Sequence, residues 1–306
     1  AGVGAGKKVE VKETTFDSAI SDVQWFGKDN KIVMVQTSKG RLYRSTDGGD
    51  KWTDITDQLK PSSSASLANI VVEQISKSQA DSKVAAVVGT RKNHFVTKDG
   101  GVTWRPLRQD STIHTFMFHK TRPQWALLST WTPSCEVKKY GAKAGTAKDG
   151  SSPCNHVLYL TKDLGKTFQL VSSYVVQFSW GDVAHKQEDR IYLTHFRQKK
   201  GDQPRLYLWS KEVDFSFTDD GGRNVKTLVP QGNKFLVSHN FLFVAMLKDT
   251  TSQTVKLKVS ADGGKDFSDA KLPQELEEKS YSILDTSEGA VMLHVNHGSK
   301  DRPSGV

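Results

Sequence analysis

Apolar residues along this chain gather in short runs, some alternating with polar positions and some unbroken, with polar turn segments between them. The early runs are Ile20-Ser-Asp-Val-Gln-Trp25, Lys31-Ile-Val-Met-Val35, Asn69-Ile-Val-Val-Glu-Gln-Ile75 and Val84-Ala-Ala-Val-Val88. The middle runs are Ile113-His-Thr-Phe-Met-Phe118, Trp125-Ala-Leu-Leu128, Val175-Val-Gln-Phe-Ser-Trp180, Arg190-Ile-Tyr-Leu-Thr194 and Arg205-Leu-Tyr-Leu-Trp209. The later ones are Asn233-Lys-Phe-Leu-Val237 and Phe241 to Leu247. Runs this short, period two or wholly apolar, predict half-buried and fully buried strands. Helical periodicity is weak: only Lys271-Leu-Pro-Gln-Glu-Leu-Glu-Glu278 shows it, and a linker turn is expected there. Residues 62–66 read as a polar loop and 248–254 as a hairpin tip.

A second pattern overlies the first. Ser45-Thr-Asp47-Gly-Gly49-Asp-Lys-Trp52, Thr97-Lys-Asp99-Gly-Gly101-Val-Thr-Trp104, Thr161-Lys-Asp163-Leu-Gly165-Lys-Thr-Phe168 and Ser260-Ala-Asp262-Gly-Gly264-Lys-Asp-Phe267 share one form. Each has Ser or Thr, then Asp, Gly and an aromatic residue at the same spacing. Thr218-Asp-Asp220-Gly-Gly222-Arg-Asn-Val225 is a degraded copy whose aromatic is lost. Recurrence at a spacing of about 40–65 residues indicates one supersecondary unit repeated. The chemistry is that of a tight turn. Asp and Ser/Thr side chains bond nearby backbone N–H groups, glycine takes a positive φ, and the aromatic plugs the hairpin from below. This is the Asp box, a hairpin between the outer strands of a β-propeller blade. We expect the boxes to be structural rather than catalytic or calcium-binding.

The fold class expected is therefore all-β, a propeller of four-stranded Asp-box blades. The repeats run roughly over 16–60, 61–110, 111–172, 173–230 and 231–274, with a partial unit over 275–306. In that last unit Tyr281-Ser-Ile-Leu-Asp285 and Ala290-Val-Met-Leu-His-Val295 read as two opening strands. The third strand and the next box are expected beyond them. Open sheet edges at both ends would invite self-association or a complementing chain.

Composition narrows the class. The 306 residues carry a formal net charge of +9, with the positive charge scattered. No basic helix or aromatic platform appears, so a solvated surface is expected and nucleic acid is not. No apolar run approaches the roughly 18 residues of a membrane span, and the first residues lack the apolar core of a signal peptide. Cys135 and Cys154 bracket a polar insertion between two strand-like segments. A disulfide there would pin the base of a hairpin excursion, contribute roughly 3 kcal/mol and imply an oxidising compartment. Two unrelated free thiols are the alternative.

Several stretches carry a resemblance to the Vps10p domain of the sortilin family of sorting receptors. They are Gly40 through Asp57, then Phe178-Ser-Trp-Gly181 with Ile191-Tyr-Leu-Thr194 and Leu206-Tyr-Leu-Trp209, then Phe241-Leu-Phe-Val with Val259-Ser-Ala-Asp-Gly-Gly264 and the segments over 280–295. The resemblance implies a ten-bladed propeller, of which this chain would supply the N-terminal half, about five and a half blades. It implies a lumenal ectodomain of a single-pass membrane protein, cycling between Golgi and endosomes and binding protein or peptide cargo in the tunnel. The C-terminal half of the same propeller would be a partner, and the membrane span would lie outside this chain. Family members grip a peptide carboxylate with an arginine and a serine. The corresponding positions here fall near Lys256 and Ala245, so Lys256 is the candidate ligand contact, as a point charge rather than a fork.

Other Asp-box propellers hydrolyse glycosides, and that chemistry needs two suitably placed carboxylates. The acidic residues here fall mostly in boxes and polar loops. No HExxH, GxSxG, CxxC or phosphate-binding loop occurs, and no catalytic residue, cofactor or metal is expected. A soluble scaffold propeller is a third reading.

Overall fold

A computed structural model describes residues 11–60, 70–90, 92–107, 109, 111–132, 135, 154–200, 207–238, 240–247, 254–271, 276–277, 281–287, 290–297 and 304–305. The expected loop over 62–66 and most of the hairpin tip over 248–254 lie outside these residues.

Each apolar run pairs antiparallel with its neighbour in sequence. β1 (Ile20–Phe26), β2 (Ile32–Thr37), β3 (Leu42–Ser45) and β4 (Thr53–Asp54) form one meander, in that order. β5 (Val72–Lys77), β6 (Ala85–Gly89), β7 (His94–Thr97) and β8 (Arg105–Pro106) form the second. These two sheets make one compact unit, residues 1–110. Their shared core holds Phe26, Met34, Leu42, Ile70, Val72, Ile75, Ala85, Val87 and Phe95. β6 is buried along its whole length because both faces of a second strand are covered, which is why its sequence is apolar without alternation.

The second unit covers residues 111–306. β9 (Ile113–Phe118), β10 (Ala126–Trp131), β11 (His156–Thr161) and β12 (Gln169–Ser173) form its first meander. β13 (Val175–Trp180), β14 (Ile191–Lys200), β15 (Tyr207–Thr218) and β16 (Lys226–Val229) form the next. β17 (Gly232–Ser238), β18 (Phe241–Leu247), β19 (Thr254–Ser260) and β20 (Ser268–Asp269) follow. Leu127, Leu158, Leu160, Val171, Trp180 and Leu193 fill one core of this unit. Tyr192, Phe215, Phe235, Leu242 and Val244 fill another.

Two expectations are corrected. The strand anticipated over 205–209 is the start of β15, which runs 12 residues straight into the fourth box. Its charged stretch 211–214 hid the continuity, although Asp214 is buried there and paired with Arg197 of β14 at 2.6 Å. Residues 276–277 are not a linker turn: they form β21 (Leu276–Glu277), which pairs with β19. Among the described residues of the last unit, β22 (Tyr281–Ser287) pairs with β23 (Ala290–His297), and β24 (Ser304–Gly305) pairs with β23 after them.

Candidate functional site

Every box lies in its own sheet, at the turn from third to fourth strand. The boxes are distributed, one per sheet, and form no single constellation of carboxylates. In each, the leading hydroxyl is almost wholly buried: Ser45, Thr97, Thr161, Thr218 and Ser260. That oxygen donates to the Asp Oδ1 at 2.7–2.9 Å. It also accepts the second-glycine N–H at 2.8–2.9 Å, from Gly49, Gly101, Gly165, Gly222 and Gly264. The Asp Oδ1 then accepts the backbone N–H four residues on, from Lys51, Thr103, Thr167, Asn224 and Asp266. One hydroxyl and one carboxylate thus close the whole turn.

The glycine pair has a conformational reason. Gly100 and Gly101 stand at φ of 67° and 80°, and Gly221 and Gly222 at 73° and 98°, where a Cβ is resisted. The third box departs, with Leu164 at φ 58°. Leu164 is buried, and its N–H donates to the Gln124 carbonyl at 2.8 Å. The core burial of a leucine side chain, worth about 2 kcal/mol, offsets a backbone strain of about 1–2 kcal/mol.

The position four after Asp is a feature the sequence reading missed. Thr103 Oγ1, Thr167 Oγ1 and Asn224 Nδ2 each donate to the second Asp oxygen, at 2.5, 2.6 and 2.6 Å. A side chain with a donor at that spacing was the available signal. These contacts set the electrostatics. Burial pushes the Asp99 and Asp163 carboxyls up, but hydrogen bonds from Thr103 and Thr167 outweigh it, and Asp163 falls to about 2. Asp220 also falls to about 2, chiefly through the Asn224 N–H. Asp47 is lowered by the Lys51 N–H, and Asp262 by the Ser260 hydroxyl.

The boxes also key sheets together. Arg44 Nε on β3 donates to the Gly100 carbonyl at 2.8 Å. Gln169 Nε2 on β12 reaches the Gly221 carbonyl at 2.9 Å. Tyr192 Oη on β14 reaches the Gly263 carbonyl at 2.9 Å, with Arg190 Nη1 at 3.4 Å. In all three, a side chain of the preceding meander meets the first glycine of the box.

Three aromatics behave as plugs. Trp52 Nε1 donates to the Gly49 carbonyl at 2.9 Å. Trp104 packs on the core of the first unit, and Phe267 on the core around Phe215. Phe168 is half-buried at the end of its turn. Val225, in the degraded box, is 37% exposed.

Cys135 and Cys154 are bonded to each other, 19 residues apart in sequence. Beside them His156 stacks on His114, with ring centroids 4.8 Å apart, and meets Trp131. Burial, and then the neighbouring His114, lower His156 to about 4. Lys256 lies on β19, opposite Met246. Its ammonium is 2.7 Å from Asp269 Oδ2, and Lys258 holds the other oxygen at 2.8 Å. The two lysines bring Asp269 down to about 2. Ala245 faces Leu257, one register position from Lys256, so the two candidate positions sit on adjacent strands but on opposite faces of the sheet. Among the described residues no group of acidic, cysteine or histidine side chains could hold a metal ion. No helix there is long and apolar enough to cross a membrane.

Repeated four-stranded meanders, each closed by an Asp box, define this protein as an Asp-box β-propeller. The chain belongs to the Sortilin–Vps10 family, whose model, described as sortilin, neurotensin receptor 3, matches residues 40–306. A relative from Ajellomyces capsulatus (strain H143), named vacuolar protein sorting/targeting protein 10, is 24% identical over 280 residues, 88% of this chain and 17% of the relative. A relative of the same name from Mycosarcoma maydis is 25% identical over 293 residues, 92% of this chain and 18% of the relative. The chain thus spans under a fifth of the length of these relatives. Among solved structures, a prolyl endopeptidase aligns over 91% of this chain and 40% of its own, at 13% identity and a TM-score of 0.50, a likeness of fold alone.

Proposed function

We propose that this chain is the N-terminal part of the lumenal ligand-binding propeller of a sorting receptor. The receptor takes protein or peptide cargo of the secretory pathway from Golgi to endosomes. In this reading the blades follow the repeat boundaries given above, within a ten-bladed ring completed by the C-terminal half. Cargo lies in the tunnel lined by the first strand of each blade, and the membrane anchor lies outside this chain. The observation that carries the reading is the family match over 40–306 together with the relatives' printed role in vacuolar protein sorting. The Cys135–Cys154 bond fits an oxidising lumen.

The boxes serve the fold, and the domain is not an enzyme. A glycoside hydrolase needs a carboxyl held protonated near neutral pH. Here the box carboxylates, with Asp54, Asp189, Asp214 and Asp269, are all held below the usual carboxylate range. Lys256 offers a cargo carboxylate a point charge that Asp269 already shares. Removing that competitor by Asp269→Asn should tighten binding of an acidic peptide if Lys256 touches cargo.

The test is binding of vacuolar protein precursors to the immobilised receptor ectodomain, with glycoside turnover measured alongside. Saturable binding without turnover supports the reading. Turnover with no precursor binding overturns it.

A further inference from the structure

The first strands of the second unit share an irregularity. β9 pairs Ile113 with Thr130 and Thr115 with Ser129, so the ladder passes over His114. β13 pairs Val175 with His195 and Gln177 with Thr194, passing over Val176. β17 pairs Gly232 with Met246 and Lys234 with Ala245, passing over Asn233. Each is a β-bulge at the second residue of its strand, and β5 of the first unit has the same bulge at Glu73. The core shows what the extra residue does. Ile113 and Phe116 are both buried, and Val175 and Phe178 pack in one core, although each pair is three residues apart. Strict period-two alternation would send one member of each pair to the other face. The bulge restores the register and leaves its own residue out of the core.

The geometry of this position repeats and its chemistry does not. The boxes keep one set of residue types from meander to meander, whereas the bulge holds Glu73, His114, Val176 or Asn233. Glu73 and His114 are exposed, and Val176 is 49% exposed. Val176 is held in place from both sides. Val175 is buried in the core with Leu158 and Leu193. Gln177 Nε2 donates to the Phe235 carbonyl at 2.7 Å, and its Oε1 accepts the Phe235 N–H at 3.0 Å. The residue after the bulge is thereby tied to β17 of the next meander. On β9 the ring of His114 lies 4.8 Å from that of His156 and 5.9 Å from that of Trp131, which is 38% exposed. His156, at about 4, is neutral at pH 7, so its ring adds surface without charge. The meanders of β9 and β13 share one core, through Leu127 and Leu158 on one side and Trp180 and Leu193 on the other.

We propose that the bulge residues are specificity-determining positions for cargo, and that His114 and Val176, at matching positions of consecutive first strands, take a branched or aromatic apolar side chain of an extended cargo peptide. A repeated fold that sets a position without fixing its residue type leaves that position to recognition, and bulges re-aim side chains in this way beside functional sites. Val176 offers a ligand neither charge nor hydrogen bond. What it gains from one is the removal of apolar surface from water, and the rings of His114 and Trp131 extend that surface. The clamped backbone on either side of Val176 fixes its direction before the ligand arrives. The contact is separate from Lys256, whose ammonium is held by Asp269 on β20. The inference rests on the cargo-binding reading and adds to it the side chains that read the cargo.

The experiment uses the full-length receptor ectodomain and measures its affinity for vacuolar protein precursors, with the melting temperature alongside. Val176→Asp should weaken binding by about tenfold or more and leave the melting temperature within about 2 °C, because the side chain lies outside the core. His114→Ala should weaken it by about threefold, and Val176→Ile should bind as wild type does. Val183→Asp, at a valine 48% exposed between β13 and β14, should change neither quantity. Short peptides that differ at one position give a second readout. The wild type should prefer Leu or Phe there over Ser or Asp, and Val176→Lys should turn the preference towards Asp. A purely structural role for Val176 would move the melting temperature and leave the preference alone. A Val176→Asp receptor that binds precursors as tightly as wild type would overturn the proposal. So would an unchanged preference in Val176→Lys, or an equal loss of affinity in Val183→Asp. A wild-type ectodomain that binds no precursor overturns the cargo reading and this inference with it, whereas wild-type binding that is indifferent to Val176 overturns this inference alone.

Discussion

The second and fourth boxes have the same turn and different floors. Thr97 and Thr218 each donate to their Asp at 2.7 and 2.8 Å and each accept a glycine N–H at 2.9 Å. The fourth residue after Asp closes both carboxylates at 2.9 Å. Yet Trp104 sits on a core and Val225 stands in solvent. The turn is therefore made by its polar residues, and the aromatic contributes packing. A box that loses its aromatic keeps its shape.

The glycines give the widest separation between the two boxes. Gly222→Ala would drive a Cβ into the Val171 backbone from a φ of 98°. Neither side yields easily, so a loss of about 3–5 kcal/mol is expected in chemical denaturation. Gly101→Ala meets the flexible end of Met34 and should cost about 1–2 kcal/mol. Equal losses would show that the neighbouring sheet does not confine the fourth box.

Truncating the aromatic position comes next. Trp104→Ala should lower stability by about 2–3 kcal/mol, at the low end for a large side chain because Trp104 is only partly buried. Val225→Ala should change it by less than about 0.5 kcal/mol. A large effect at Val225 would contradict the division between turn and plug.

The smallest effect is electrostatic. Asp163 sits at about 2 in the fold, below its ordinary value near 3.9. A depressed carboxylate stabilises the fold above its unfolded value, and that contribution is lost as pH falls from about 4 towards 2. With solvent screening the loss should be about 1 kcal/mol. Urea midpoints measured across this range should fall less steeply in Asp163→Asn, and an unchanged slope would remove Asp163 from the network.

Much of the fold is legible in the sequence. The boxes announced themselves because one turn fixes several residue types at constant spacing, and second strands such as β6 because burial on both faces removes alternation. The Cys135–Cys154 pairing followed from its position around a polar insertion. Contacts distant in sequence were not legible. Nothing local to Arg44, Gln169 or Tyr192 marks a donor to a glycine carbonyl in the next meander. The continuity of β15 was hidden by charges at 211–214, and the pairing of Leu276–Glu277 with β19 by a sequence that favours a turn. Leu164 at positive φ breaks a local rule that only its buried surroundings explain. Lys256 was legible as a cation but not as the partner of Asp269, because that contact crosses a hairpin of 13 residues.

The central claim is that the boxes hold the blades and leave ligand binding to other residues. Asp99→Ala tests it most directly, through the melting temperature and the affinity of the folded fraction for vacuolar protein precursors. The account predicts a stability loss of roughly 1–3 kcal/mol from unsatisfied turn N–H groups, with Kd unchanged. An unchanged melting temperature with selective loss of binding would contradict it.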